Sequence, residues 1–303
     1  MASMNLNGIF APLTSPFTTD GSLAVERFRE NLERYDRTRL AGYVVNGSTS
    51  ESVLLRWEEI YRLWETAREH VKLEKILIAG TGAEATAETI EHTRRAASFG
   101  FDAALVRTPS FYKPAISTEL LAEHYLRVAD SSPIPVLLYS VPVFTHVAID
   151  AAVVSRVASH PNIVGIKDSS GDTVGLSAIL AAAPKSFQTL VGSAATLFES
   201  LEAGAVGAIL AVANAFPELC CEIYEACRAG EKGRARALAD RLAVAGKLFG
   251  QRFGIPGLKY AMDRLGFYGG PARLPLLPIS DAAKAEIDAA LPQVVAELSA
   301  TSD

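Results

Sequence analysis

The sequence predicts a (β/α)8 barrel carrying a C-terminal helical extension, and three observations point there. Eight short apolar runs recur up to residue 216, each followed by a longer amphipathic stretch. The runs show little polar alternation, as parallel strands buried on both faces do. Strand-then-helix units repeated in this order favour a closed barrel. A doubly wound open sheet is the competing architecture, but it would normally bear a glycine-rich phosphate fingerprint after an early strand. Gly80-Thr81-Gly82 lacks the third glycine.

The elements follow in order. Strands are expected at Gly8–Leu13, Gly42–Asn46, Ile76–Gly80, Ala103–Arg107, Val136–Tyr139, Ile163–Lys167, Thr189–Gly192 and Gly207–Ala211. Helical periodicity fills Val25–Arg39, Arg56–Val71, Ala87–Ser98, Thr118–Ala129, Ala151–Ala158, Gly175–Ala182 and Ala194–Ala203. Beyond Pro217 the strand pattern ends. Glu218–Ala229, Lys232–Gly250, Ile255–Leu265 and Ser280–Leu298 read as helices, separated by Gly230, the Gly254–Gly257 turn and Gly269-Gly270-Pro271. No low-complexity linker or short repeat interrupts the chain, so residues 1–216 form the barrel and 217–303 an extension of the same domain.

Composition bounds the function. With 303 residues, 49% hydrophobic and 21% charged, the chain has a substantial core and fits one large barrel or two ordinary domains. The formal net charge of -5, with no basic cluster among aromatics, argues against nucleic acid or an anionic membrane as partner. The stretch Met1-Ala2-Ser3-Met4-Asn5-Leu6-Asn7 has neither the charged nor the apolar region of a secretory signal. The longest apolar stretch, around Val206 to Phe216, is too short to span a bilayer. A soluble cytoplasmic protein is the expectation. Cys220, Cys221 and Cys227 fall in one helix, an odd cluster that suits small buried residues rather than a disulfide framework.

Lys167 is the most informative residue. It closes the apolar run Ile163-Val164-Gly165-Ile166-Lys167, and the turn-forming Asp168-Ser169-Ser170-Gly171-Asp172 follows at once. An ammonium buried there would pay a desolvation cost. A lysine that is partly neutral can attack a ketone and form a Schiff base, whereas the plainer reading is a buried ion pair with a group such as Asp168. Catalytic groups of such barrels sit at the C-terminal ends of strands. Tyr139 ends the fifth strand and Gly47-Ser48-Thr49-Ser50-Glu51 follows the second, so both should meet Lys167 at one mouth. Alone, Tyr139 reads as an aromatic barrel residue; beside Lys167 it reads as a proton-shuttling phenol. Ser48-Thr49-Ser50-Glu51 also fits a capping box, whose free N–H groups make an anion site. His70, His92, His124, His146 and His160 are scattered without metal-ligand spacing, and neither a G-x-S-x-G elbow nor a P-loop is present.

On these residues the chain resembles the dihydrodipicolinate synthase and N-acetylneuraminate lyase superfamily of pyruvate-dependent Schiff-base aldolases, over essentially its full length. Gly47-Ser48-Thr49-Ser50-Glu51, Tyr139-Ser140-Val141-Pro142 and Gly165-Ile166-Lys167-Asp168-Ser169 carry the match. Within it, the chain looks most similar to 4-hydroxy-2-oxoglutarate aldolase. That likeness rests on Ser132-Pro133-Ile134-Pro135 leading into the Tyr139 motif, on His160–Gly165, and on Arg252–Lys259 with Tyr268-Gly269-Gly270-Pro271.

The resemblance implies roles. Lys167 would form the Schiff base and Tyr139 would act as general acid and base. Ser48 and Thr49 would bind the pyruvate carboxylate, Ser48 also joining the proton relay. Ile209 would contact pyruvate through its backbone carbonyl, and Ser169 would touch substrate. It also implies no metal or organic cofactor, small-molecule partners (pyruvate and an aldehyde), and a homotetramer or dimer.

Two departures stand out. The family places a tyrosine two residues after the proline of the fourth loop, often donated across a subunit interface. Here Pro109-Ser110-Phe111-Tyr112 puts Phe111 there, with Tyr112 next to it as the substitute. Dihydrodipicolinate synthases carry an arginine in the loop after Tyr139 that grips the aldehyde substrate's carboxylate. Val143-Phe144-Thr145-His146 offers an apolar ring instead.

The expected reaction is Schiff-base cleavage or formation of a 2-oxo acid such as 4-hydroxy-2-oxoglutarate, from pyruvate and glyoxylate. The alternatives are dihydrodipicolinate synthesis, cleavage or dehydration of a 2-keto-3-deoxy sugar acid, and a non-catalytic keto-acid binding protein. Phe144, His146 and Ser193 are placed to choose the aldehyde.

Overall fold

Eight parallel strands close into a barrel in sequence order, as a computed structural model describing residues 4–296 shows. They are β1 (Gly8–Pro12), β2 (Gly42–Val45), β3 (Ile76–Gly80), β4 (Ala103–Arg107), β5 (Val136–Ser140), β6 (Ile163–Asp168), β7 (Gln188–Val191) and β8 (Gly207–Ile209). Closure comes from β8 lying parallel to β1, with Phe10 opposite Ile209. Met1 to Ser3 and the last two residues of the helix read as Ser280–Leu298 lie outside the described residues. Within them that helix runs Asp281–Val295.

The apolar strands serve two faces. Phe10, Val44, Ile78, Leu105, Leu137, Leu190 and Ile209 fill the interior. The alternate residues pack outward on the helices, with Ile9, Tyr43, Leu77 and Ala79 in one wall and Val106, Val136, Leu138 and Ile166 in the other. Each fully buried large side chain contributes roughly 1.5–3 kcal/mol, so the barrel wall is the main source of cohesion. Helices Val25–Tyr35, Trp57–His70, Thr86–Ser98, Thr118–Ser131, Ala151–Val157, Thr173–Ala182 and Leu197–Ala203 lie between consecutive strands. Pro217–Arg228 packs on β1 and on the helix before it, where an eighth outer helix sits.

Three boundaries differ from expectation for local reasons. The first helix stops at Tyr35 rather than Arg39, because the Asp36 carboxylate is taken by the Tyr43 hydroxyl (2.8 Å) and the Lys72 N–H (2.9 Å). The eighth strand ends at Ile209, and Ala211–Asn214 turns as a 3-10 helix. Asn214 Nδ2 donates to Pro12 O (2.8 Å) and Ala211 O (2.9 Å), which pulls the chain back over the end of β1. Ser48–Glu51 is not the capping box of a long helix. Ser48–Ser50 forms a single 3-10 turn, and the helix starts at Trp57, where Glu59 accepts from the Arg56 N–H at 2.9 Å.

Among the described residues no helix is long and apolar enough to cross a membrane, and no three His, Cys, Asp or Glu side chains gather as a metal site requires. Cys220 and Cys221 are buried, Cys227 half-buried, and all three are free.

Candidate active site

Register places Lys167 inside the barrel. Its partners on the neighbouring strands are Tyr139 and Leu190, both members of the interior cluster, so the two-residue period of a strand turns the lysine the same way. Only 3% of Lys167 and 4% of Tyr139 is exposed. Lys167 Nζ lies 4.2 Å from the centroid of the Tyr139 ring, and the Tyr139 hydroxyl is 2.8 Å from Ser48 Oγ. The sequence-predicted trio is therefore one contiguous group.

Asp168 is not the lysine's partner. It lies on the opposite face of β6, and its carboxylate accepts from Ser170 Oγ at 2.7 Å and from the Ser170 N–H at 3.3 Å. Burial raises its pKa, with those hydrogen bonds opposing. Among the described residues no carboxylate forms an ion pair with Lys167, and the lysine sits over the Tyr139 ring inside the apolar barrel.

The surrounding backbone is shaped for this. Asn46 stands in the left-handed region at φ 70°, and its Nδ2 donates to Gly80 O at 2.7 Å. A Cβ on Gly80 would lie 1.9 Å from Asn46 O, so only glycine lets β3 approach where β2 turns into the Ser48 loop. Ser50 Oγ then donates to Leu13 O (2.5 Å) and accepts from the Asn46 N–H (3.1 Å). Thr49 is buried beside them. Ile209 is buried in the interior cluster at the end of β8. Ser169 follows Lys167 by two residues and packs on Gly192, where a Cβ would meet Ser169 Oγ at 1.9 Å. Ser193 stands next to it, half-buried, and His146 is exposed at the end of the Pro142–Thr145 turn.

Tyr112 is not brought to this group. Phe111 and Tyr112 are each 75% exposed, ring edge to ring face at 5.1 Å. Tyr112 lines a groove of about 530 Å³ with Thr86, Ile90, Leu120 and His124, between the helices Thr86–Ser98 and Thr118–Ser131. Glu84, which the sequence did not single out, holds this loop. Its carboxylate accepts from the Ser110 N–H (2.8 Å), the Phe111 N–H (2.9 Å) and Arg107 Nη1 (2.8 Å), pinning the loop's backbone and leaving both rings outside.

Partial burial pushes the Glu84 carboxyl up, but the Ser110 N–H, Arg107 and the Phe111 N–H outweigh it and hold it down at about 2. A depressed carboxylate pKa contributes stability above the ordinary value of 4.5, and that contribution declines as pH falls toward 2. Because the pair is half open to water, Glu84→Gln is expected to cost under about 1 kcal/mol near neutrality. Thermal melts of wild type and variant between pH 7 and pH 3 should converge as acid is added. A gap that widens in acid would contradict the assignment.

Lys259 and Glu51 were also missed as a pair. Both are buried, with Lys259 Nζ 2.5 Å from Glu51 Oε1. Burial lowers the Lys259 pKa, with Glu51 opposing. The signal was present: Lys259 lies between Leu258 and Ala261 on the buried stripe of its helix, where a charge needs a partner.

The family model described as the Dihydrodipicolinate synthetase family matches residues 5–294. A 4-hydroxy-tetrahydrodipicolinate synthase of Methanothrix thermoacetophila is 38% identical over 282 residues, covering 92% of this chain and 94% of that protein. A synthase of the same name from Exiguobacterium is 34% identical over 287 residues, covering 94% and 97%. Among solved structures, the chloride-inhibited dihydrodipicolinate synthase of Acinetobacter baumannii in complex with pyruvate superposes with a TM-score of 0.91. It is 28% identical and covers 96% of this chain and 99% of its own. The dihydrodipicolinate synthase of Aquifex aeolicus gives a TM-score of 0.90 at 28% identity, covering 95% and 98%.

Proposed function

This chain belongs to the dihydrodipicolinate synthetase family and is a lyase of that kind, and we propose that it works on pyruvate through a Schiff base on Lys167. The observation that carries the reading is the contiguous group of Lys167, Tyr139 and Ser48 at the C-terminal ends of β6, β5 and β2. Lys167 as the free amine adds to the C2 carbonyl of pyruvate, and loss of water leaves an imine. Tyr139 gives the departing hydroxyl its proton, so the imine is protonated and draws electrons from C3; the phenolate then takes a C3 proton and an enamine forms. Its C3 then attacks an aldehyde carbon, and the new alkoxide takes a proton from the Tyr139 hydroxyl. Water releases the product and restores the amine. The same steps in reverse cleave a C3–C4 bond. Ser48 and Thr49 hold the carboxylate, the Ile209 carbonyl and Ser169 touch the bound keto acid, and no metal or organic cofactor is required because the lysine carries the chemistry.

Of the finer readings, the names of the curated relatives support 4-hydroxy-tetrahydrodipicolinate synthesis from pyruvate and an aspartate-derived aldehyde. That reading stands ahead of 4-hydroxy-2-oxoglutarate cleavage. The latter is kept for one observation: Phe144, 64% exposed on the loop after β5, presents an apolar ring where the resemblance to synthases implies an arginine. Exposed Phe111, Tyr112, Val143 and Phe144 support assembly into a homodimer or tetramer. Turnover of pyruvate with the aspartate-derived aldehyde, compared with cleavage of 4-hydroxy-2-oxoglutarate, tests the choice. Cleavage alone would reverse it.

Tyr139→Phe is expected to lower turnover about 10²–10⁴-fold while the pyruvate adduct still forms, since the phenol moves protons and does not make the covalent bond. Steady-state kinetics beside intact mass after borohydride reduction checks this. Unchanged turnover would remove Tyr139 from the relay.

A further inference from the structure

Glu51 closes the turn that carries Ser48. Its N–H donates to Ser48 O at 3.0 Å, and its backbone is held in the left-handed region at φ 57°. A non-glycine residue there is strained, so something must hold it. Its carboxylate is 1% exposed and meets Lys259 Nζ, itself 0% exposed, at 2.5 Å. Lys259 Nζ also donates to Ser15 O (2.8 Å) and Pro271 O (2.9 Å), and Glu51 Oε2 accepts from the Arg273 N–H (2.7 Å). Four contacts thus lock together the segment after β1, the turn after β2 and the C-terminal extension.

Stability does not explain this arrangement. A buried ion pair is commonly matched or bettered by apolar side chains of the same volume. What charges add is direction, and the direction here fixes the residue next to Ser50. Electrostatics agrees. Glu51 follows Ser48 and Thr49 by only three and two positions, and unpaired it would repel an anion bound there. Lys259 cancels that charge.

We infer that Glu51 and Lys259 are a positioning pair for the reaction: they hold the Ser48–Thr49 turn so that Ser48 meets Tyr139 and the carboxylate of the 2-oxo acid is accepted. The inference rests on the pyruvate reading above, but not on which aldehyde follows. Neither residue touches substrate. Both act through the turn.

The test measures the pyruvate concentration that half-saturates adduct formation, by intact mass after borohydride reduction, for wild type, Glu51→Gln and the double variant Glu51→Gln/Lys259→Met. KM for the aldehyde is measured in parallel. The double variant leaves no unpaired buried charge, so it provides a folded protein if the single variant melts too low. The expected result is a rise in half-saturating pyruvate of about tenfold in both variants, with the aldehyde KM within about twofold of wild type. A lowered Tm with unchanged half-saturation in Glu51→Gln, or a folded double variant with wild-type half-saturation, would overturn the inference and leave the pair merely structural. Absence of any adduct on wild type would instead sink the pyruvate reading, and this inference with it.

Discussion

Lys167→Ala is expected to eliminate the borohydride-trapped pyruvate adduct and to lower turnover by roughly four to six orders of magnitude, the scale seen when a covalent nucleophile is removed. The barrel should stay folded. Among the described residues Lys167 forms no ion pair that its loss would orphan, and its strand partners Tyr139 and Leu190 keep their interior packing. Lys167→Arg should be equally inactive, because a guanidinium stays protonated and cannot add to a carbonyl. The comparison has a built-in control in Lys259, the other buried lysine. Peptide mapping of the wild-type adduct must place the added mass on Lys167. An adduct that survives in Lys167→Ala, or maps to Lys259, would refute the mechanism.

Lys259→Met alone is expected to destabilise the protein by about 3–5 kcal/mol, since it strands the Glu51 carboxylate in the interior. At roughly 2–4 °C per kcal/mol for a chain of this size class, that is a fall in Tm of about 6–20 °C. Adding Glu51→Gln should recover most of it, because a neutral pair leaves no charge without a partner. Thermal melts of the two variants and wild type decide the matter. A single variant within about 1 kcal/mol of wild type would mean that Glu51 finds water or another donor when Lys259 is gone.

The parts of this architecture that depend on local composition were legible in the sequence. Eight apolar runs bounded by turn residues became eight strands, with bounds shifted by only one or two residues at most ends, because a strand buried on both faces has no freedom to be polar. Lys167, Tyr139 and Ser48 were legible for the same reason: each is a polar group at the end of an apolar run. Groups whose meaning depends on a distant partner were not. Glu84 stands in an ordinary loop until it is seen holding the Ser110 and Phe111 N–H groups. Tyr112 was expected to stand in for the family tyrosine by adjacency to Phe111, and within one chain it lies exposed on the loop that this clamp holds. Glu51 fitted a capping box by spacing alone, yet its carboxylate pairs with a residue more than 200 positions later.

That separation has a consequence for how the chain is made. Translation delivers Ser15, Phe17, Gly21, Glu51 and Glu59 first. Their partners arrive last: Lys259 for Ser15 and Glu51, Tyr268 for Phe17, and Arg273 for Gly21, Glu51 and Glu59. A nascent chain that has already emitted all eight strands still holds an unmatched acidic side chain at the heart of its second loop. A barrel that matures from its N-terminal end as it leaves the ribosome therefore carries this side chain unpaired until the last segment arrives. The final segment is the clasp: a chain truncated before residue 259 has every strand but no partner for Glu51, and limited proteolysis is expected to degrade it faster than the full chain.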